Sequence, residues 1–189
     1  MTFPCMIEMG APRDLAARAQ KEQNCYAFLD RLGVVYRRAD HEAASTMELC
    51  REIEKVLGCP ICKNLLLTNR QQTDFYLLLM EGEKVFKTKY LSKELGVARL
   101  SFASDAQMEE LLDITPGSLS VLGLLKDPEK KVRLIIDRPV LTQPEIGFHP
   151  CLNTSTLAVS MGDFCDLILP ALGHQPTVVD LPVDDLMKE

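Results

Sequence analysis

The chain has 189 residues, 47% of them hydrophobic and 25% charged, which suits one folded domain with or without an N-terminal extension and excludes an intrinsically disordered chain. No apolar run is long enough to span a membrane, and residues 1–10 lack the basic start and apolar core of a secretory leader, so a cytoplasmic protein with no membrane partner is expected. A net charge of −6 disfavours general nucleic-acid binding, and seven cysteines, an odd count, read as free thiols in a reducing compartment and not as a disulfide framework.

In chain order, residues 1–20 read as an N-terminal extension, 21–183 as the folded domain and 184–189 as a tail. Apolar positions at Leu15, Ala19, Cys25, Phe28, Leu29 and Leu32 recur at helical spacing over 13–32, with Gly33 as the stop. A short strand, Val34-Val35-Tyr36, follows. Ser45 and Glu48 have the capping-box spacing ahead of Met47, Cys50, Ile53, Val56 and Leu57, which predicts a helix ending at Gly58. Apolar runs at 61–68 and 74–80 flank the polar stretch Asn69-Arg70-Gln71-Gln72-Thr73, the pattern of a hairpin of central strands covered on both faces. Helices are expected at 90–95, stopped by Gly96, and from Ser104 and Gln107 to about Asp113.

Turns at Thr115-Pro116-Gly117-Ser118 and at 126–130 lead into a strand at 132–136. The stretch 142–152, with Pro144, Gly147 and Pro150, is expected to be loop for much of its length. A strand at 154–160, a helix capped by Ser160 and Asp163 and closed by Gly173, and a strand at 177–181 complete the pattern. Strands and helices alternate irregularly, which predicts a single α/β domain on a mixed sheet.

Cys59-x-x-Cys62 with His149 and Cys151 is a weak zinc signal, because His-x-Cys is too tight for a second knuckle, and an apolar strand after Cys62 does not suit a thioredoxin-like thiol. No Gly-x-Ser-x-Gly elbow, phosphate-binding loop or His-Glu-x-x-His motif is present. Lys84, Lys87, Lys89 and Lys93, interleaved with Phe86 and Tyr90, form the densest cationic stretch, read as a solvated face and as a candidate phosphate contact. His149 lies in a loop held by Gly147 and Pro150 just before a strand, a common place for functional groups.

Lys63 is the anomaly: an ammonium inside Cys59-Pro60-Ile61-Cys62-Lys63-Asn64-Leu65-Leu66-Leu67 must be paired, deprotonated, or set at a pocket wall to meet a ligand. Cys62-Lys63-Asn64-Leu65, Pro116-Gly117-Ser118, Asp137 and Phe148-His149-Pro150 with Asn153-Thr154, together with Tyr36 and Asp40-His41, resemble the YbaK/EbsC-like aminoacyl-tRNA deacylases. The likeness runs from about Asn24 to Leu181 and is greatest to the freestanding ProX-type (PrdX) relatives of the editing domain in bacterial prolyl-tRNA synthetase.

The resemblance implies a mixed, mostly antiparallel, barrel-like sheet surrounded by helices. It implies hydrolysis of mischarged tRNA(Pro), alanyl-tRNA(Pro) first, with Lys63, Asn64 and His149 as catalytic residues and Gly117, Ser118, Gly147 and Asn153 as substrate-binding ones. No metal or cofactor is implied. The partners are the acceptor end of tRNA(Pro) and, as a further candidate, prolyl-tRNA synthetase, with monomer and homodimer both open. Ser118-Leu119-Ser120-Val121 departs from the family's Gly-x-x-x-Pro after Gly117, which leaves alanyl, cysteinyl and other small groups as substrates and a non-catalytic binding module as the alternative.

Overall fold

The computed structural model describes residues 6–44 and 46–183; the expected cap Ser45 and the tail 184–189 lie outside the described residues. The chain runs through β1 (Ile7–Met9), α1 (Gln20–Arg31), β2 (Tyr36–Asp40), α2 (Met47–Leu57), β3 (Cys62–Thr68), β4 (Phe75–Glu81), α3 (Thr88–Leu95), β5 (Ser101–Phe102) and α4 (Asp105–Leu112). It continues through β6 (Val132–Asp137), α5 (Arg138–Leu141), β7 (Glu145–Phe148), β8 (Ser155–Ser160), α6 (Met161–Asp163), a π turn (Phe164–Ile168), α7 (Leu169–Leu172) and β9 (Thr177–Val179). Several stops and caps follow local chemistry. Gly58, Gly96 and Gly173 close their helices in the left-handed region, and Ser104 with Gln107 completes the capping box of α4. Thr46 caps α2 by accepting from the Leu49 N–H.

Two sheets form. The first has the order β1-β2-β8-β7 and is antiparallel throughout; the second has the order β5-β3-β4-β6-β9, with β4, β6 and β9 parallel to one another. Leu77 and Leu79 of β4 join Leu134 and Ile136 of β6 and Leu157 and Val159 of β8 in the central core, while Leu78 and Met80 face the other way into a cluster with Leu91 of α3. β4 is therefore buried on both faces, which is why its sequence is a continuous apolar run. Ile53 and Leu57 of α2 cover Ala39 and Ala158 on the outer face of the first sheet.

The barrel-like expectation is corrected: the two sheets stay open and, among the described residues, their backbones are bridged at one place, Ile61 with Gly147. The Gly147 N–H donates to the Pro60 carbonyl at 2.8 Å, but the Ile61 N–H is taken by Glu54 Oε1 at 2.8 Å and Pro60 has none, so no ladder can continue there. Position 147 must be glycine, because a Cβ would lie 2.8 Å from the Pro60 oxygen. The stretch expected as loop thus carries the strand β7.

Lys84 is also corrected. It is buried, 7% exposed, with its Nζ 2.6 Å from Asp137 Oδ2 and 2.6 Å from the Leu181 carbonyl, so it is no part of a solvated face.

Candidate functional site

A cavity of about 270 Å3 opens where the start of β3 meets the turn before Leu119 and the loop after β7. Its walls are mostly apolar, from Ile61, Leu66, Met108 and Leu119 among others, and Asn64, Gly117 and His149 line it. The structure therefore brings together three of the residues singled out from sequence.

His149 is buried, and its hydrogen bonds set its tautomer. Nδ1 lies 2.9 Å from the Ser155 carbonyl and 3.2 Å from Thr156 Oγ1. A carbonyl only accepts, so Nδ1 carries the hydrogen and Nε2 keeps its lone pair. His41 continues the chain of bonds: its Nδ1 faces the Glu42 carbonyl at 2.7 Å, so its Nε2 accepts from Thr156 Oγ1 at 2.8 Å, which leaves that oxygen free to accept from His149. Burial, reinforced by the neighbouring His41, holds His149 down to about 4 despite its bond to Ser155, and burial also lowers His41. Both rings are neutral at physiological pH. Neither Thr156 nor the His41 contact carried a signal in the sequence, since His41 and Thr156 are 115 residues apart.

Asn64 donates from Nδ2 to the Cys62 carbonyl at 3.0 Å, while its Oδ1 is buried with no partner among the described residues. A buried acceptor left unmet costs about 1–3 kcal/mol, and its place in a cavity wall makes a ligand donor its natural complement.

Gly117 has φ +84°, a left-handed conformation that glycine adopts without strain, and it brings backbone to the cavity wall. Ser118 and Asn153 stand behind that wall. The Asn153 N–H donates to Ser118 Oγ at 3.1 Å, and Ala44 N–H donates to the Asn153 carbonyl at 2.9 Å, so this pair ties the turn to the loop after β7. Gly147 sits at the junction of the two sheets, next to Pro60 and Ile61.

Lys63 points elsewhere. Adjacent residues of a strand face opposite sides, and Lys63 lines an adjoining cleft of about 100 Å3 with Arg51, Glu54 and Glu83, while Cys50, Ile61 and Cys62 border both spaces. Its Nζ donates to the Lys84 carbonyl at 2.9 Å, and burial lowers its pKa.

Burial pushes the Cys59 thiol up to about 12 and raises Cys62 as well, so both stay protonated at neutral pH. Among the described residues no three His, Cys, Asp or Glu side chains are grouped to hold a metal ion, and no helix is long and apolar enough to cross a membrane.

A family model described as the aminoacyl-tRNA editing domain matches residues 41–167. The chain is 28% identical over 160 residues to the prolyl-tRNA editing protein ProX of Acetoanaerobium sticklandii, covering 85% of this chain and 97% of that protein. It is 29% identical over 168 residues to prolyl-tRNA synthetase associated domain-containing protein 1 of Mus musculus, covering 86% and 95%. A crystal structure described as that of a candidate trans-editing enzyme for prolyl tRNA synthetase shares the fold, with a TM-score of 0.65 at 15% identity over 87% of this chain and 99% of that one.

Proposed function

The chain belongs to the aminoacyl-tRNA editing domain family, and from that premise we propose that it hydrolyses the ester of mischarged tRNA(Pro), with alanyl-tRNA(Pro) as the preferred substrate. The observation that carries this reading is the buried Asn64 Oδ1, without a partner among the described residues, beside His149, whose Nε2 keeps its lone pair, in one small apolar-walled cavity. A volume of about 270 Å3 has room for a small aminoacyl group and its ester. Larger side chains are kept out by size, which discriminates more strongly than the lost contacts of a smaller one.

An aminoacyl ester is already activated, so the protein's task is to hold it, admit water and orient both. Asn64 Oδ1 accepts from the α-ammonium of the aminoacyl group. His149 Nε2 accepts from the attacking water; held down to about 4, it orients that water as a neutral ring and is a weak base. Gly117 lets backbone close over the substrate. Lys63 acts from the adjoining cleft as a positioned cation for the RNA's terminal phosphate, exchanging the Lys84 carbonyl for it. Prolyl-tRNA synthetase is the partner whose errors such an activity removes.

The test is a deacylation panel across alanyl-, cysteinyl-, seryl- and prolyl-tRNA. Release of alanine at the highest kcat/KM supports the reading; a faster cysteinyl reaction reassigns the substrate, and tight binding of alanyl-tRNA without turnover replaces the hydrolase by a non-catalytic module.

A further inference from the structure

Resting on the deacylase reading, we propose that Phe102, backed by Phe86, and the cleft of Lys87, Lys89 and Arg99 form the docking track for the unpaired 3′ end of the RNA. Phe102 is 58% exposed and yet lines the catalytic cavity, so its ring stands at the mouth. A phenylalanine left in water forgoes about 1.5–3 kcal/mol of burial. This one is nevertheless held in place: β5 pairs with Leu67 and Thr68, and Phe86, itself packed on the core beneath α3, meets the ring edge-on with centroids 6.1 Å apart and planes at 69°. An edge contact leaves a ring face open, and a fixed ring face beside a cavity is a stacking platform for a base.

The cations follow from chain continuity. Lys87 comes directly after Phe86, and Arg99 lies three residues before Phe102; with Lys89 they line an open cleft of about 540 Å3. Lys87 and Lys89 also lie over the Tyr90 ring, at 5.9 and 5.2 Å from its centroid. In a chain of net charge −6, positive charge is thus gathered next to the aromatic rim. A single strand of RNA is the polymer that offers bases to rings and phosphates to cations in alternation. The terminal base stacks on Phe102, the aminoacyl ester passes into the cavity, and the preceding phosphates lie along the cleft.

The experiment titrates the whole protein with a short single-stranded RNA ending in CCA, carrying 2-aminopurine in place of the terminal adenine. The wild type binds and quenches the fluorescence. Phe102→Ala raises Kd about tenfold or more and abolishes the quenching, while Phe102→Trp retains both. Replacing Lys87, Lys89 and Arg99 by Gln together lowers the slope of log K against log salt by about 2, at roughly 0.7 per phosphate contact. Unchanged quenching in Phe102→Ala, or an unchanged salt slope in the triple variant, overturns the track. The two readings fail separately: RNA binding with these losses but no hydrolysis of alanyl-tRNA sinks the deacylase and leaves the track, whereas hydrolysis with wild-type binding by Phe102→Ala sinks the track and leaves the deacylase.

Discussion

Lys84 with Asp137 and Asn64 with His149 are two sets of polar side chains that the fold withdraws from water, and only the first is closed. Lys84 meets a carboxylate and a carbonyl, and the other Asp137 oxygen accepts from the Leu181 N–H at 3.0 Å. Asn64 Oδ1 is buried with no partner among the described residues, His149 keeps its Nε2 lone pair, and both residues line the same cavity. The contrast teaches that burial and charge do not by themselves mark function. Unspent hydrogen-bonding capacity at a cavity wall is the better guide, because a ligand can meet Asn64 Oδ1 there.

Breaking the closed set should have the largest effect. Asp137→Ala strands a buried ammonium, and urea unfolding should show a loss of about 3–5 kcal/mol, with activity per folded molecule unchanged. A loss below about 1 kcal/mol would mean that Lys84 reaches water and the contrast is false.

Acid should act on the open set. His149 titrates at about 4 in the folded chain against about 6.5 when unfolded, so the unfolded state takes up the proton first. Stability from the neutral ring is full above about pH 6.5 and falls as pH drops toward 4, by at most about 3 kcal/mol; His41, lowered too, adds to the slope in the same direction. In His149→Phe the pH dependence of the unfolding midpoint over that window should flatten, and an unflattened curve would show that His149 is charged when folded.

The same variant should lower kcat about 100-fold at pH 7, as expected when a group that orients the attacking water is lost. Its unfolding free energy should move by no more than about 1–3 kcal/mol, the cost of leaving the Ser155 carbonyl unmet. The smallest effect belongs to Lys63→Ala, which should raise KM about tenfold with kcat changing less, the mark of a lost phosphate contact. A fall confined to kcat would place Lys63 at the ester.

Much of the fold could be read from the sequence where local chemistry decides it, as in the β3–β4 hairpin, the Ser104–Gln107 capping box and the glycine stops. β7 escaped because its glycine answers to a tertiary contact: Gly147 is there to let Pro60 approach, and composition alone reads it as a loop. β2 extends through Arg37 and Arg38, which pattern reading excludes from a sheet; Arg38 is buried because Glu8, Asp40 and the Gly10 carbonyl surround its guanidinium. Of the candidate site, Asn64, Gly117 and His149 converge, whereas Ser118, Asn153 and Gly147 brace the walls and Lys63 faces the next cleft. The bond from His41 through Thr156 to His149 was beyond sequence reading, since register between distant strands sets it.

That register also orders events in time. β2 can pair with β1 early, but it meets β8, with Tyr36 opposite Val159, only after more than half the chain has followed it. At a synthesis rate of about 5–20 residues per second, the 115 residues between His41 and Thr156 take on the order of ten seconds. A nascent chain can close the β3–β4 hairpin early, but the His149 tautomer is not set until the late strand arrives. The hydrogen bonds around His149 therefore form only after Thr156 has been made, later than the β3–β4 hairpin can close.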